Sequence, residues 1–209
     1  MSLRNDIRGF KEFHILNTLS SPIKIQNFLD TLKINFEKGG DTLRSPLYVL
    51  KHKEAHCIEA ALVAAVALWM HGEEPLLLDM RAVKDDFDHV LALYKKGGRW
   101  GALSKSNHAT IRYRDPVYLT PRELALSYFH EYTENKKGKK TFRAYSRPFN
   151  LKKFGTQWIT SPENLWHIAE ALDDSPHYRI IPHGNERHLR RADHMELRAG
   201  RLIEYHDRS

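Results

Sequence analysis

The sequence predicts an α+β fold in one domain, in which a buried helix that begins at the only cysteine packs on an antiparallel sheet. Three observations carry this expectation. The run from Cys57 to Met70, CIEAALVAAVALWM, holds one charge, Glu59, and is rich in alanine. Alternating apolar residues then flank a turn signal, KKGG, as they do in a hairpin. Finally, the candidate elements come as helices, then a meander, then helices, which is the order of an α+β chain.

In chain order, Ser21 followed by Pro22 starts a helix reaching about Leu32, with serine as cap and proline at the first helical position. Ile23, Ile25, Phe28, Leu29 and Leu32 supply its apolar face. GGD at 39–41 breaks the chain. The Cys57–Met70 run has too few polar positions for a half-exposed helix and no strand alternation. It reads as a helix enclosed on nearly every side, whose small residues let neighbours approach closely. His71 and Gly72 end it.

A strand is expected at Leu76–Met80. In HVLALYK, Val90, Ala92 and Tyr94 share one face while His89, Leu91 and Leu93 share the other, the period of a strand. RWGALSK returns as its partner. If KKGG is a four-residue loop, Tyr94 lies opposite Arg99 and His89 opposite Ser104. If Lys95 pairs with Arg99, His89 faces Lys105. IRYRDPVYL is a third strand, interrupted by Pro116. Thr120, Pro121 and Glu123 open a helix running on to about Tyr132, and Ser161 with Pro162 opens another reaching Asp174. A helical N-terminal region, residues 1–47, and a loosely assigned extension, residues 150–209, complete the single domain.

A chain of 209 residues, 41% apolar, buries a sizeable core without disulfides or metal. The single cysteine excludes an internal disulfide and points to a reducing compartment. The first residues have no apolar core of a signal peptide, and the longest apolar run, ALVAAVALWM, is too short to span a bilayer. The expectation is a soluble, cytoplasmic protein. Its net charge of +7 is local: residues 134–153 hold eight Lys or Arg and one acidic residue, again +7. Such a segment suits an acidic partner, with nucleic acid a weaker alternative. Docking of Phe142, Tyr145 and Phe149 onto the core explains the same residues without a partner.

Chemistry centres on Cys57 and His89. A thiol at a helix start meets unpaired N–H groups and the positive end of the helix field, which favour thiolate, although free cysteine is also a common small core residue. His89 opens a strand behind the acidic run DDFD, where Asp88 is placed to tune it. Thiol catalysis needs an imidazole in hydrogen-bond reach and a third group holding its far nitrogen. Asn107, Ser104 or a carboxylate from elsewhere qualifies. The rival chemistry is metal binding by His52, His56 and Cys57. Lys53, however, stands where a zinc-protease pattern has glutamate, and a turn before the helix would separate the two imidazoles. Neither a metal nor a cofactor is expected.

HCIEAALVAAVALWMHGEEPLLLDM followed by DHVLALYKKGGRWGALSKSN resembles the core of the transglutaminase-like, papain-related cysteine enzymes. More narrowly, CIEAA, RWGALSKSNHA, YRDPVY and RELALSYFHEY resemble an uncharacterised bacterial group of that superfamily. The resemblance implies Cys57 as nucleophile and His89 as general base. It implies Trp100 as the tryptophan packed near the third member, and a peptide, protein or small amide or ester as substrate. It further implies an oxyanion donor upstream of the nucleophile, for which Tyr48, His52 and His56 are local candidates. The chain departs from the pattern at one place: Ser104 occupies the slot where these enzymes carry aspartate. Asn107 is the preferred replacement and Asp115 the second. The missing carboxylate also admits an inactive fold of this kind serving as a protein-interaction module.

Overall fold

The protein is described from a computed structural model that covers residues 3–134 and 136–206. Asn135, within the basic segment, lies outside the described residues.

Helix α1 (Leu3–Ile7) and a 3₁₀ stretch (Lys11–Thr18) lead into α2 (Pro22–Thr31). Ser21 Oγ accepts from Lys24 N at 3.3 Å and Pro22 follows it, as its sequence requires. The buried face of α2 is Pro22, Ile25, Gln26 and Leu29; Ile23, expected on it, is 60% exposed. Strand β1 (Lys33–Ile34) pairs in parallel with β2 (Glu54–Ala55). Between them lies α3 (Pro46–His52), an element beyond the sequence expectation. It closes at Lys53, whose φ of 58° puts a non-glycine residue in the left-handed region.

Helix α4 (Cys57–Met70) has only Cys57 and Trp69 outside the buried class. Helices α1, α2 and α3 pack against it from one side, and the sheet from the other. This enclosure explains why its sequence carries one charge and so many alanines.

The sheet contains β3 (Leu76–Arg81), β4 (His89–Lys96), β5 (Arg99–Leu103) and β6 (Arg114–Tyr118). Helix α5 (Pro121–Leu126) follows, and then β7 (Ala144–Ser146) and β8 (Phe149–Asn150). Helix α6 (Trp166–Asp173), β9 (His177–Arg179) and α7 (His194–Gly200) complete the chain. The strand order is β6-β5-β4-β3-β7-β9, with β8 also on β3, and every pairing in this sheet is antiparallel. Val90, Ala92 and Tyr94 join the α4 core. Leu91 and Leu93 join a second core with Tyr128, Phe142 and Tyr145. The sheet is thus covered on both faces, and an α+β architecture with the Cys57 helix packed on antiparallel strands is what the chain forms. Pro116 sits on the edge strand β6, the place where its missing N–H is tolerated.

Three expected details are corrected. The β4–β5 hairpin pairs Lys96 with Arg99 and Tyr94 with Gly101, so neither anticipated register forms. The loop is only Gly97–Gly98, both at positive φ (55° and 76°), the backbone that a two-residue hairpin turn demands. The Ser161–Pro162 helix start also fails. Ser161 Oγ accepts from Glu163 N in a local turn, Asn164 Oδ1 accepts from Leu43 N, and the helix begins at Trp166. α5 starts as expected, with Thr120 Oγ1 accepting from Glu123 N at 3.1 Å, but ends at Leu126.

The basic segment is built into the fold. β7 and β8 pair with β3, and Phe142, Tyr145 and Phe149 are buried. Lys140, also buried, donates to the His130 carbonyl at 2.6 Å. Among the described residues, no helix is long and apolar enough to cross a membrane.

Candidate active site

The site is assembled at the start of α4. The left-handed turn at Lys53 and the short β2 swing the chain so that His56 enters α4 as an extended N-cap residue (φ −93°, ψ −176°). Glu59, in the first turn, is fully buried. Its Oε1 accepts from Arg44 N at 2.9 Å and Thr42 Oγ1 at 3.2 Å; its Oε2 accepts from His56 N and Asn35 Nδ2, both at 3.2 Å. A buried carboxylate is costly unless hydrogen-bonded, and here four donors and the positive end of the helix meet it. Glu59 therefore fastens the 35–44 loop to the helix start. The loop in turn holds His56, whose Nε2 donates to the Thr42 carbonyl at 2.9 Å.

Cys57 is half-buried and lines a cavity of about 350 Å³ together with His56, His89, Lys105, Asn107 and His108. His89 arrives from the first position of β4. β5 leaves the ladder after Leu103, and Gln26 of α2 takes over where strand pairing stops. Its amide accepts from Ser104 N at 3.0 Å and donates to Ser104 O at 2.8 Å. This clamp puts Ser104 Oγ 2.7 Å from His89 Nε2 and 3.1 Å from the Ile111 carbonyl. A carbonyl only accepts, so the hydroxyl proton goes to Ile111 and Nε2–H of His89 donates to Ser104. The ring's Nδ1 is left for the thiol.

Both imidazoles act on Cys57. Burial pushes the thiol up, but hydrogen bonds from His56 and His89, with their charges, hold it down at about 5. Burial would likewise lower His56. Its hydrogen bond to Cys57, the charges of Cys57 and Glu59, and the Thr42 carbonyl raise it instead to about 9. Both shifts run in the direction that favours a thiolate beside an imidazolium at neutral pH. In such a state the sulfur is a nucleophile without further deprotonation.

The sequence candidates separate. Cys57, His89 and Ser104 come together. Asn107, the preferred third member, does not hold His89: its amide is committed to the backbone of Tyr205, donating to the carbonyl and accepting from the N–H, each at 2.8 Å. The C-terminal segment is too distant in sequence to be foreseen from local pattern. Of the candidate oxyanion donors, Tyr48 and His52 stack on each other on α3 (6.4 Å between centroids), away from the cavity lining. Only His56 reaches the thiol. The turn at Lys53 also separates His52 from His56, which removes the spacing on which the metal reading stood. Asp88 accepts from Ala82 N at 2.7 Å, so its contact is with the turn rather than with His89.

Two contributors escaped sequence reasoning in these roles. His56 is the thiol's second imidazole neighbour, and Glu59 organises the helix start. Glutamate three residues after a helix cap is a readable signal, although it is usually looked for behind Ser or Thr. Elsewhere, Asp79, Asp88 and Asp173 bring carboxylate oxygens within 4.8 Å of one another. His177 bonds Asp79 at 2.9 Å and Arg81 pairs with Asp173, so the cluster reads as an ion-pair network. No protein-family model matches the chain, and no curated protein is significantly similar to it.

Proposed function

We propose that the protein is a cysteine acyl hydrolase or acyltransferase, built in the manner of the transglutaminase-like, papain-related enzymes that its motifs resemble. The observation that supports this most is Cys57 at the start of α4, flanked by His56 and His89 on the wall of a cavity. The sulfur attacks the carbonyl carbon of an amide or ester. The C=O π electrons move to oxygen, and the Cys57 N–H at the helix start is the nearest donor for that oxyanion; one such donor is worth about 10²–10³ in rate. As the intermediate collapses, the His89 imidazolium gives its proton to the leaving amine or alcohol, and a thioester remains on Cys57. His89 then takes a proton from water or an incoming amine. That nucleophile displaces the sulfur, yielding acid or new amide and restoring the thiolate.

A second reading has a specific observation behind it. Ser104 stands behind His89 where the resembling enzymes use aspartate, and a hydroxyl orients the ring without balancing its charge. That arrangement suits a fold of this type retained as a protein-interaction module. Nitrophenyl ester turnover by wild type, Cys57→Ala and His89→Ala separates the two readings. Turnover lost in both variants supports the enzyme. Rates equal to Cys57→Ala across a panel of acyl groups support the module.

A further inference from the structure

Lys105 is a buried lysine whose one ion pair is long and carries no hydrogen bond. Its side chain is wholly buried, and among the described residues its Nζ has no hydrogen-bond acceptor. A carboxylate oxygen, Glu204 Oε2, is 3.8 Å away and already bonded to Arg112 at 2.5 Å. The Tyr205 ring offers its face at 5.4 Å. Taking an ammonium out of water is costly, and with no hydrogen bond at Nζ that cost is not offset. The residue lies one place after Ser104, and it lines the same cavity as Cys57 and His89.

We propose that Lys105 forms a carboxylate-binding end of the Cys57 cavity, so that the acyl donor carries a carboxylate remote from the carbonyl under attack. This rests on the acyl-transfer reading for the identity of the ligand as a donor, but not for the binding itself. The ammonium is walled between the cavity and the 202–205 segment. That segment is held by Ala109 N to Leu202 O and by the Asn107–Tyr205 pair. A lysine has four rotatable side-chain bonds, and in the proposed complex the outer ones turn Nζ away from Glu204 and the Tyr205 face toward the cavity. Because Nζ makes no hydrogen bond, the rotation breaks none. Glu204 shows which chemistry the place accepts: a carboxylate already sits beside Lys105 and Arg112, too far from Nζ to satisfy it. An incoming carboxylate completes what Glu204 leaves undone.

Two thiol reagents of equal length test this, N-iodoacetylglycine and its neutral counterpart N-iodoacetylglycinamide. The rates of Cys57 alkylation at neutral pH give an anionic-to-neutral ratio for each protein. His56 and His89 attract the anion in every variant and cancel in the comparison. In Lys105→Met, which keeps the volume of the side chain, the ratio is expected to fall about tenfold, the worth of one charge-assisted hydrogen bond. In Glu204→Gln, which removes the competing carboxylate, it is expected to rise. A Lys105→Met ratio within about twofold of wild type overturns the proposal; should that variant not fold, an unchanged or lower ratio in Glu204→Gln overturns it instead. Failure of the acyl-transfer reading is visible separately, as a thiol that titrates in the ordinary range. The ratio does not depend on that outcome, because both reagents meet the same sulfur.

Discussion

His89 Nε2 lies 2.7 Å from Ser104 Oγ, and the one proton of that hydroxyl is spent on the Ile111 carbonyl. The imidazole is thereby oriented, its Nε2–H toward serine and its Nδ1 toward Cys57. This gives orientation without a counter-charge. The second imidazole beside the sulfur, His56, adds to the effect of His89 in holding the thiol down.

Removal of the hydroxyl frees the ring. Ser104→Ala is expected to lower stability by about 1 kcal/mol, the net value of one hydrogen bond, and to slow iodoacetamide alkylation of Cys57 at pH 6. Urea unfolding and single-exponential labelling rates measure the two effects. A labelling rate equal to wild type would show that Ser104 does not position the ring.

The pH dependence follows from the sign of each shift. A thiol held at about 5 gains thiolate as pH rises through 5, so alkylation is expected to rise there and level off by neutrality. His56→Asn removes one of the two hydrogen bonds and one positive charge, which moves this limb upward toward the usual thiol range. A limb that stays near 5 in that variant would assign the whole effect to His89.

Glu59→Ala strands four donors, Arg44 N, His56 N, Thr42 Oγ1 and Asn35 Nδ2, at the helix start. The expected cost is about 3–5 kcal/mol, as for breaking a buried charged pair. Urea unfolding reads it directly, and a loss under about 1 kcal/mol would mean that water replaces the carboxylate at little cost.

Asn107→Ala is expected to leave the alkylation limb near 5 and to loosen the 203–206 segment that its amide holds. Faster amide exchange there, with an unchanged limb, fits the geometry. A shifted limb would return Asn107 to the role that the sequence suggested.

What was legible in the sequence had local causes. Ser21 with Pro22, Thr120 with Pro121, and the nearly uncharged run after Cys57 each carry their structure in adjacent residues. The strand alternation from His89 did as well, because the two faces of the sheet meet different cores. The hairpin register was misread because KKGG conceals a two-glycine turn, and moving the turn by one residue changes every pair. Helix α3 and the failed Ser161 start depend on tertiary bonds, Leu43 to Asn164 among them. The site was half visible. The order of Cys57 and His89 pointed to it, whereas the commitment of Asn107 to Tyr205 joins residues 98 apart and left no local trace.

The central claim is that Cys57 carries an acyl group during turnover. Protein mixed with nitrophenyl acetate, quenched in acid within seconds and digested, is expected to show one acetyl group on the Cys57 peptide, none in Cys57→Ala and much slower loading in His89→Ala. An unmodified Cys57 peptide in wild type, or loading unaffected by loss of His89, would contradict the account.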